Sequence, residues 1–399
     1  MAEKLRIGVF GVWRGYEYIR AVNIQENAEI VAICDKDEEK LEEALKICPP
    51  GTKVCKDYDE LLKSGIDAVI LCNYFHEHAP YAIKALKSGV HVLSETQSAV
   101  TMKQCVELVE AAEETGKQFV LAENYPFFRC NMEMRKIYQS GEIGDVVFAE
   151  GEYIHPMSRA ENTFYNPDPT HWRTLTPCTY YCTHALAPLM YITDEVPVKV
   201  IGKVARSAAY AEDLGSSVDD NYGVLLCEMT NGSVFRVGAC GAFGPKGNWY
   251  RLGCSRGGVE SVRGQTRDVR LSICPWFLNE KNSSHGAECV YTPVPTEESK
   301  KAEGFEHDGA DFWVVKTFCE DILAGRQPYM DVYRSAALAA VGILGWESAV
   351  ENSVQLEIPD FKNREEREKY RNDDRSPYDK DGKPSSLPHY LYRHEAQSK

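Results

Sequence analysis

"LRIGVFGVWRG" at residues 5–15 and "AEIVAICD" at residues 28–35 decide the fold of this chain. The first is a short apolar run that ends in glycine. A helical stretch is expected after it, from about Tyr16 to Glu26. The second is another apolar run, closed by an acid. "DAVILC", "VHVLSE" and "QFVLAEN" then alternate with helix-like "KDEEKLEEALKI", "HAPYAIKALKSG" and "TMKQCVELVEAAEETG". Strands that are apolar throughout and alternate with helices imply a parallel sheet covered on both faces. Right-handed crossovers make it doubly wound, an α/β Rossmann arrangement.

Glycine at a strand-to-helix turn lets a pyrophosphate approach backbone N–H groups at a helix start. Gly8, Gly11 and Gly15 supply such a pattern, with Arg14 inside it. Trp13 stands where a second close-approach glycine is expected, and Gly15 arrives one residue early. Asp35 ends the second strand, where a carboxylate accepts from ribose hydroxyls and repels a 2′-phosphate, favouring NAD over NADP. The bland alternatives are a turn glycine without a ligand and an Asp35 that caps the next helix. Ligands of such sheets bind beyond the carboxyl ends of the strands, which nominates Asn73, His78, Glu95, Gln97 and Asn124 for the cofactor. His78 reads equally well as a cap of the helix that follows.

The chain has 399 residues, 43% hydrophobic and 26% charged, with a net charge of −15. That length accommodates two cores, and the acidity argues against a nucleic-acid surface. The N-terminus lacks the pattern of a signal peptide, and no apolar run reaches the ~18 residues of a membrane span. The 14 cysteines are scattered, with Cys178 and Cys182 too far apart for C-x-x-C, so neither disulfides nor a structural metal are expected. These features point to a reducing cytoplasm.

From about Asp145 the pattern changes to consecutive strand-like segments, including "DVVFAEGEYIH", "VPVKVIGKVAR", "SVFRVGACGAF" and "DVRLSIC". Consecutive strands predict an open, largely antiparallel sheet flanked by helices, an α+β domain. The expected division is 1–124 for the NAD-binding domain, 125–361 for a substrate-binding catalytic domain, and 362–399 for an exposed charged tail that wraps the surface or a partner subunit.

"DAVILCNYFHEHAPYAIKALKSGVHVLSE" resembles the glucose-fructose oxidoreductase, inositol dehydrogenase and MocA superfamily. In that superfamily a Glu-Lys-Pro follows the strand and an acid follows the catalytic histidine by three positions. Here the residues are Glu95-Thr96-Gln97 and, after His184, Ala187. "AEGEYIH", "HWR", "YCTHALAP", "MDVY" and "IPDF" are similar in order and spacing to glycoside hydrolase family 109, which also lacks the lysine. The departures are Cys182 for proline, and Ala185 and Ala187 around the histidine.

The resemblance implies a tightly held NAD⁺ that oxidises a sugar at C3, which acidifies C2. Deprotonation, elimination of the aglycone, water addition and return of the hydride follow. Such chemistry needs no pair of carboxylates about the glycosidic bond. By the match, Tyr153 is the base at C2, and Tyr181 and His184 lie near the oxidised hydroxyl. His155, His171, Trp172 and Arg173 bind the sugar, and His307 in "FEHDGAD" lines the pocket or caps a helix. A small glycoside or sugar is the expected partner, and the superfamily's habit implies a homo-oligomer built on the open sheet. A lyase that runs only part of that cycle is the near alternative; the competing readings are a sugar or cyclitol dehydrogenase that releases NADH, and a non-catalytic sugar- or nucleotide-binding regulator.

Overall fold

The chain leaves its first strand through Gly11, whose φ of 89° is a left-handed value that glycine adopts without a Cβ penalty. The turn reverses the chain so sharply that the first helix begins at Val12, not at Tyr16 as expected, and it ends at Asn23. The computed structural model describes residues 4–156, 158–165, 172–207, 220–241, 244–277, 286–377, 379 and 381.

The first run is β1 (Leu5–Phe10), α1 (Val12–Asn23), β2 (Ala28–Cys34), α2 (Glu38–Leu45), β3 (Lys53–Val54), α3 (Tyr58–Leu62), β4 (Ala68–Leu71), α4 (His78–Lys87), β5 (His91–Ser94), α5 (Met102–Thr115) and β6 (Phe119–Leu121). The six strands form one sheet in the order β3-β2-β1-β4-β5-β6, and every pair in it is parallel. This is the doubly wound order, with β1 at its centre. All four residues of β4 are fully buried, as a strand covered on both faces requires. Asp37 and Asp57 cap α2 and α3 by accepting backbone N–H groups, so each helix starts where a short acid precedes it.

The chain continues through α6 (Arg129–Gln139), β7 (Val146–Ile154), α7 (Arg159–Tyr165), α8 (Trp172–Leu175), α9 (Thr183–Thr193), β8 (Pro197–Arg206), β9 (Asp220–Met229), β10 (Val234–Gly241), β11 (Gly247–Cys254), β12 (Gly257–Ser261), β13 (Val269–Ile273) and β14 (Ala287–Tyr291). Then come α10 (Glu297–Lys301), α11 (Ala310–Ala324), α12 (Val332–Val350), β15 (Leu356–Glu357) and α13 (Arg364–Glu368). The second sheet has nine strands in the order β14-β13-β12-β11-β7-β10-β9-β8-β15. It is antiparallel except where β10 runs parallel to β7.

The chain divides into two compact units. One holds residues 1–124, 296–336 and 361–374; the other holds 125–295, 337–360 and 375–399. In the second, α9 lies on β7 at Gly151, where a Cβ would fall 2.1 Å from the Ala185 carbonyl oxygen. Only glycine admits so close a helix. Ala185, Leu186, Ala187, Leu189, Met190 and Ile192 of that helix are all buried, so the helix is apolar almost all round. Ala187 answers for the missing acid: its side chain is core, where an unpaired carboxylate would be costly.

The charged segment after Phe361, expected as an exposed tail, is docked over part of its length. Arg367 is buried and makes an ion pair to Glu113 of α5 at 2.5 Å, and Arg371 pairs with Glu110. Lys103 N donates to the Asp373 carbonyl at 2.8 Å. The alternation of Arg and Glu that reads as a solvated tail is here a set of partners for acids on α5. Among the described residues no helix is long and apolar enough to cross a membrane.

Candidate active site

In the first unit the carboxyl ends of β1, β2 and β4 meet around Gly11, whose N–H donates to the Cys34 carbonyl at 2.9 Å. A Cβ there would stand 2.5 Å from the backbone C and O of Cys72 and 2.8 Å from Asn73 N. The turn therefore forms a cradle that only glycine leaves open. Gly15 has a second role: its α-carbon faces Val9, where a Cβ would meet Cγ1 at 2.6 Å, so it sets the close approach of α1 to β1. Gly8 lies within β1 against Leu61 and Ile66 and packs the strand. Asp35 Oδ2 accepts from Val12 N at 2.7 Å and Oδ1 from Asp37 N at 3.0 Å, so it braces the turn while each oxygen keeps a further lone pair. The cap of α2 is Asp37, not Asp35.

Trp13 is 51% exposed, with Lys40 Nζ over its ring at 5.0 Å. Asn73 Nδ2 donates to Glu77 at 3.2 Å, while its Oδ1 is buried with no protein partner. A glycine cradle, a helix start and an orphaned acceptor at this edge suit a dinucleotide.

His78 and Gln97 lie deeper. The His78 ring bridges the carbonyls of Gln97 (2.8 Å) and Asn73 (3.2 Å), and burial holds its pKa below the usual value. It ties the loop after β4 to the loop after β5. Gln97 is fully buried, with Nε2 donating to the Ala99 carbonyl at 3.1 Å.

Arg14, Glu95 and Asn124, nominated for the cofactor, instead converge on one another through a residue the sequence reading passed over. Asp311, fully buried on α11, accepts both Arg14 Nη1 and Nη2 at 3.0 Å and Asn124 Nδ2 at 2.8 Å. His307 Nδ1 is 3.0 Å from its Oδ2. Glu95 Oε1 takes Arg14 Nε at 2.6 Å and the Tyr18 hydroxyl at 2.9 Å. Burial alone would raise the Asp311 carboxyl, but His307 and Arg14 hold it well below its ordinary range. Burial likewise opposes charge on His307, and Asp311 more than offsets it, raising that pKa. Glu306, His307 and Asp311 offer ligand atoms within 4.8 Å of one another, yet Arg14 already bonds both carboxylates, where a metal cation would sit.

In the second unit the candidates form an aromatic cluster. Tyr153, on the face of β7 that also carries Gly151, meets the His184 ring edge-on at 4.7 Å. Tyr125 stacks on the same imidazole at 4.2 Å and 16°, and meets Tyr153 edge-on at 5.6 Å. Tyr181 lies 6.2 Å from His184, and Arg173 Nη1 donates to its hydroxyl at 3.2 Å. The Arg173 guanidinium also covers Trp172 at 5.0 Å. His155 is 5.7 Å from Tyr153; burial, then Lys246, keeps its pKa low. Burial pushes the Tyr153 phenol well above its ordinary value. His171 lies outside the described residues.

Pro188 fixes the backbone of His184. Proline has no N–H to give the carbonyl four residues earlier, and that carbonyl belongs to His184. Tyr250 of β11 supplies the donor instead, at 2.7 Å. Tyr125 and Tyr250 are the two residues of this cluster that sequence reasoning missed. Tyr125 follows a strand end and Tyr250 sits within a strand, and neither place marks a site residue in the sequence.

Residues 5–123 match the oxidoreductase family with an NAD-binding Rossmann fold, Gfo/Idh/MocA. Residues 291–367 match the C-terminal domain of glycosyl hydrolase 109. A glycosyl hydrolase family 109 protein of Shewanella woodyi is 24% identical over 90% of this chain and 85% of its own length. An alpha-N-acetylgalactosaminidase of Shewanella oneidensis is 30% identical over 47% of this chain and 44% of its own. Levoglucosan dehydrogenase, solved with NADH and levoglucosan, shares the fold with a TM-score of 0.72 at 16% identity, covering 90% of this chain and 100% of that one. The Rossmann domain is thus of a kind that binds an NAD-type cofactor.

Proposed function

We propose that this chain, which carries a Gfo/Idh/MocA Rossmann domain and a glycosyl hydrolase 109 C-terminal domain, is an NAD-dependent glycosidase of small glycosides. One observation carries the reading: His184 stands between tyrosine rings, and the position three residues on is the buried methyl of Ala187 rather than an acid. An imidazole with tyrosines and no flanking carboxylate suits proton transfer at a sugar ring, not acid–base cleavage by a carboxyl pair.

When bound, the dinucleotide accepts a hydride from C3 and later returns it. Gly11, Asp35 and Asn73 would hold it, and the Asp35 carboxylate favours NAD⁺ over its 2′-phosphorylated form. His184 takes the proton of the C3 hydroxyl. Tyr153 takes the C2 proton, now acidified by the neighbouring ketone. Burial holds its phenol well above the ordinary value, so it acts as a base only with positive charge brought against it. Trp172, Arg173 and His155 contact sugar hydroxyls. The likeness to an alpha-N-acetylgalactosaminidase makes α-N-acetylgalactosaminides the first substrates to try.

A second assignment rests on a specific contact. Arg173 donates directly to the Tyr181 hydroxyl, which favours a phenolate there and would exchange the roles of the two tyrosines.

The test is turnover of α- and β-aryl glycosides in D₂O without added nucleotide. Aglycone release with deuterium at C2 is the expected result. Net NADH formation from free sugars, with no release, would overturn the reading in favour of a dehydrogenase. C2 exchange retained in Tyr153→Phe but lost in Tyr181→Phe would assign the base to Tyr181.

A further inference from the structure

Tyr125 belongs to no motif that nominated the other site residues, yet it makes the closest ring contact that His184 has among the described residues. Its plane lies 16° from that of the imidazole at 4.2 Å, and it stands near-perpendicular to the Tyr153 ring at 5.6 Å. The residue is held from behind. Asn131, buried on α6, donates Nδ2 to the Tyr125 carbonyl at 2.8 Å, Phe128 N donates to the same oxygen at 3.1 Å, and the Phe128 ring packs on it at 4.5 Å. His184 is therefore held at three points: its face by Tyr125, its ring by the near-perpendicular Tyr153, and its carbonyl by Tyr250.

We infer that Tyr125 is a positioning residue for the proton transfer at His184, and that its ring, rather than its hydroxyl, does this. The inference rests on the function proposed above. In the oxidation step the substrate O–H bond breaks and its proton joins the His184 imidazole. The C3–H electron pair leaves as hydride to the oxidised nucleotide, and a C3 ketone forms. The imidazole thus becomes a cation while its face lies against an aromatic ring, whose negative face attracts positive charge. The same stack restricts rotation of the ring, so its nitrogens stay aimed in one direction.

The experiment compares Tyr125→Phe and Tyr125→Leu with wild type. It reads single-turnover absorbance of bound reduced nucleotide at about 340 nm after mixing with an aryl glycoside, together with kcat, KM, the dissociation constant for NAD⁺ and Tm. Tyr125→Leu should slow nucleotide reduction at least thirtyfold, with KM and nucleotide affinity each within about threefold of wild type. Tyr125→Phe should restore the rate to within about threefold. Tyr125→Leu reducing nucleotide at the wild-type rate overturns the inference, as does Tyr125→Phe failing as badly as Tyr125→Leu. A slow Tyr125→Leu with a proportionate loss of NAD⁺ affinity or a collapsed Tm also overturns it, in favour of a purely structural role. If wild type reduces no nucleotide with any glycoside, the proposed function falls, and this inference with it.

Discussion

The two units carry two clusters of candidate residues built on opposite principles. In the first, Arg14, Glu95, Asp311 and His307 form a network in which each charge has a partner within about 3 Å. In the second, Tyr125, Tyr153 and His184 touch through ring faces and edges. A buried ion network is intolerant of losing one member, because the remaining charge is left uncompensated. Ring contacts each contribute little, about 0.5–1.5 kcal/mol beyond their burial. Losing one member should therefore unsettle the first cluster far more than the second.

Mutations can break that contrast. The largest effect is expected for His184→Ala, which should lower aglycone release by about 10²–10⁴-fold, the usual contribution of a positioned acid–base group. Bound nucleotide and Tm should stay near wild type; calorimetry and a turnover assay measure both. Unfolding of His184→Ala would place the aromatic cluster with the charged one and end the distinction. Asp311→Asn should have the reverse profile, with about 3–5 kcal/mol lost in urea denaturation because Arg14 loses its buried carboxylate. Gly11→Ala combines a left-handed φ with a 2.5 Å clash on Cys72, and should cost on the order of 1–3 kcal/mol while weakening NAD⁺ in a binding titration.

Smaller effects sharpen the contrast. Tyr250→Phe removes one hydrogen bond to the His184 carbonyl, so a stability loss of about 0.5–1.5 kcal/mol is expected, with a modest fall in kcat. The smallest concerns His91, whose pKa is lowered to about 4 by burial and by Lys117. Its Nδ1 accepts the Gln118 N–H at 3.0 Å, so protonation there breaks a bond. The unfolded chain, with a pKa near ~6.5, binds the proton first, and stability is lost as pH falls from there through about 4. His91→Gln should show a shallower fall of Tm over that window. An unchanged pH slope would remove His91 from the acid response.

Most of the fold was legible because it is written in local pattern. The four-residue run of β4 is apolar without interruption, and Gly11 and Asp35 punctuate the strands around it. Helix α9 was legible from "THALAPLMYIT" for the same reason. The charged cluster was only half legible, since Arg14 and Asp311 lie 297 residues apart and nothing near Arg14 announces its partner. The nearer clue was the i,i+4 pair of His307 and Asp311, one turn apart, which the reading of "FEHDGAD" as a histidine site overlooked. Tyr125 was illegible for another reason. A single aromatic after a strand has no periodicity, and its meaning comes from the ring of His184, supplied by a helix 59 positions on. The acidic partners of Arg367 and Arg371 on α5 lie 254 and 261 positions away, so nothing in the segment itself names where it docks.

The reach between Asn124 and Asp311 has a consequence for how the molecule is made. Their bond spans 187 residues, and the carboxylate that takes both Nη atoms of Arg14 is synthesised long after the arginine itself. At translation rates of ~5–20 residues per second, the six-stranded sheet waits roughly 10–40 s for Asp311, with Glu95 already available to pair with Arg14. A nascent chain stalled before α11 should expose the first unit to protease, and one stalled well beyond it should not. In this protein the first domain written is among the last to be finished.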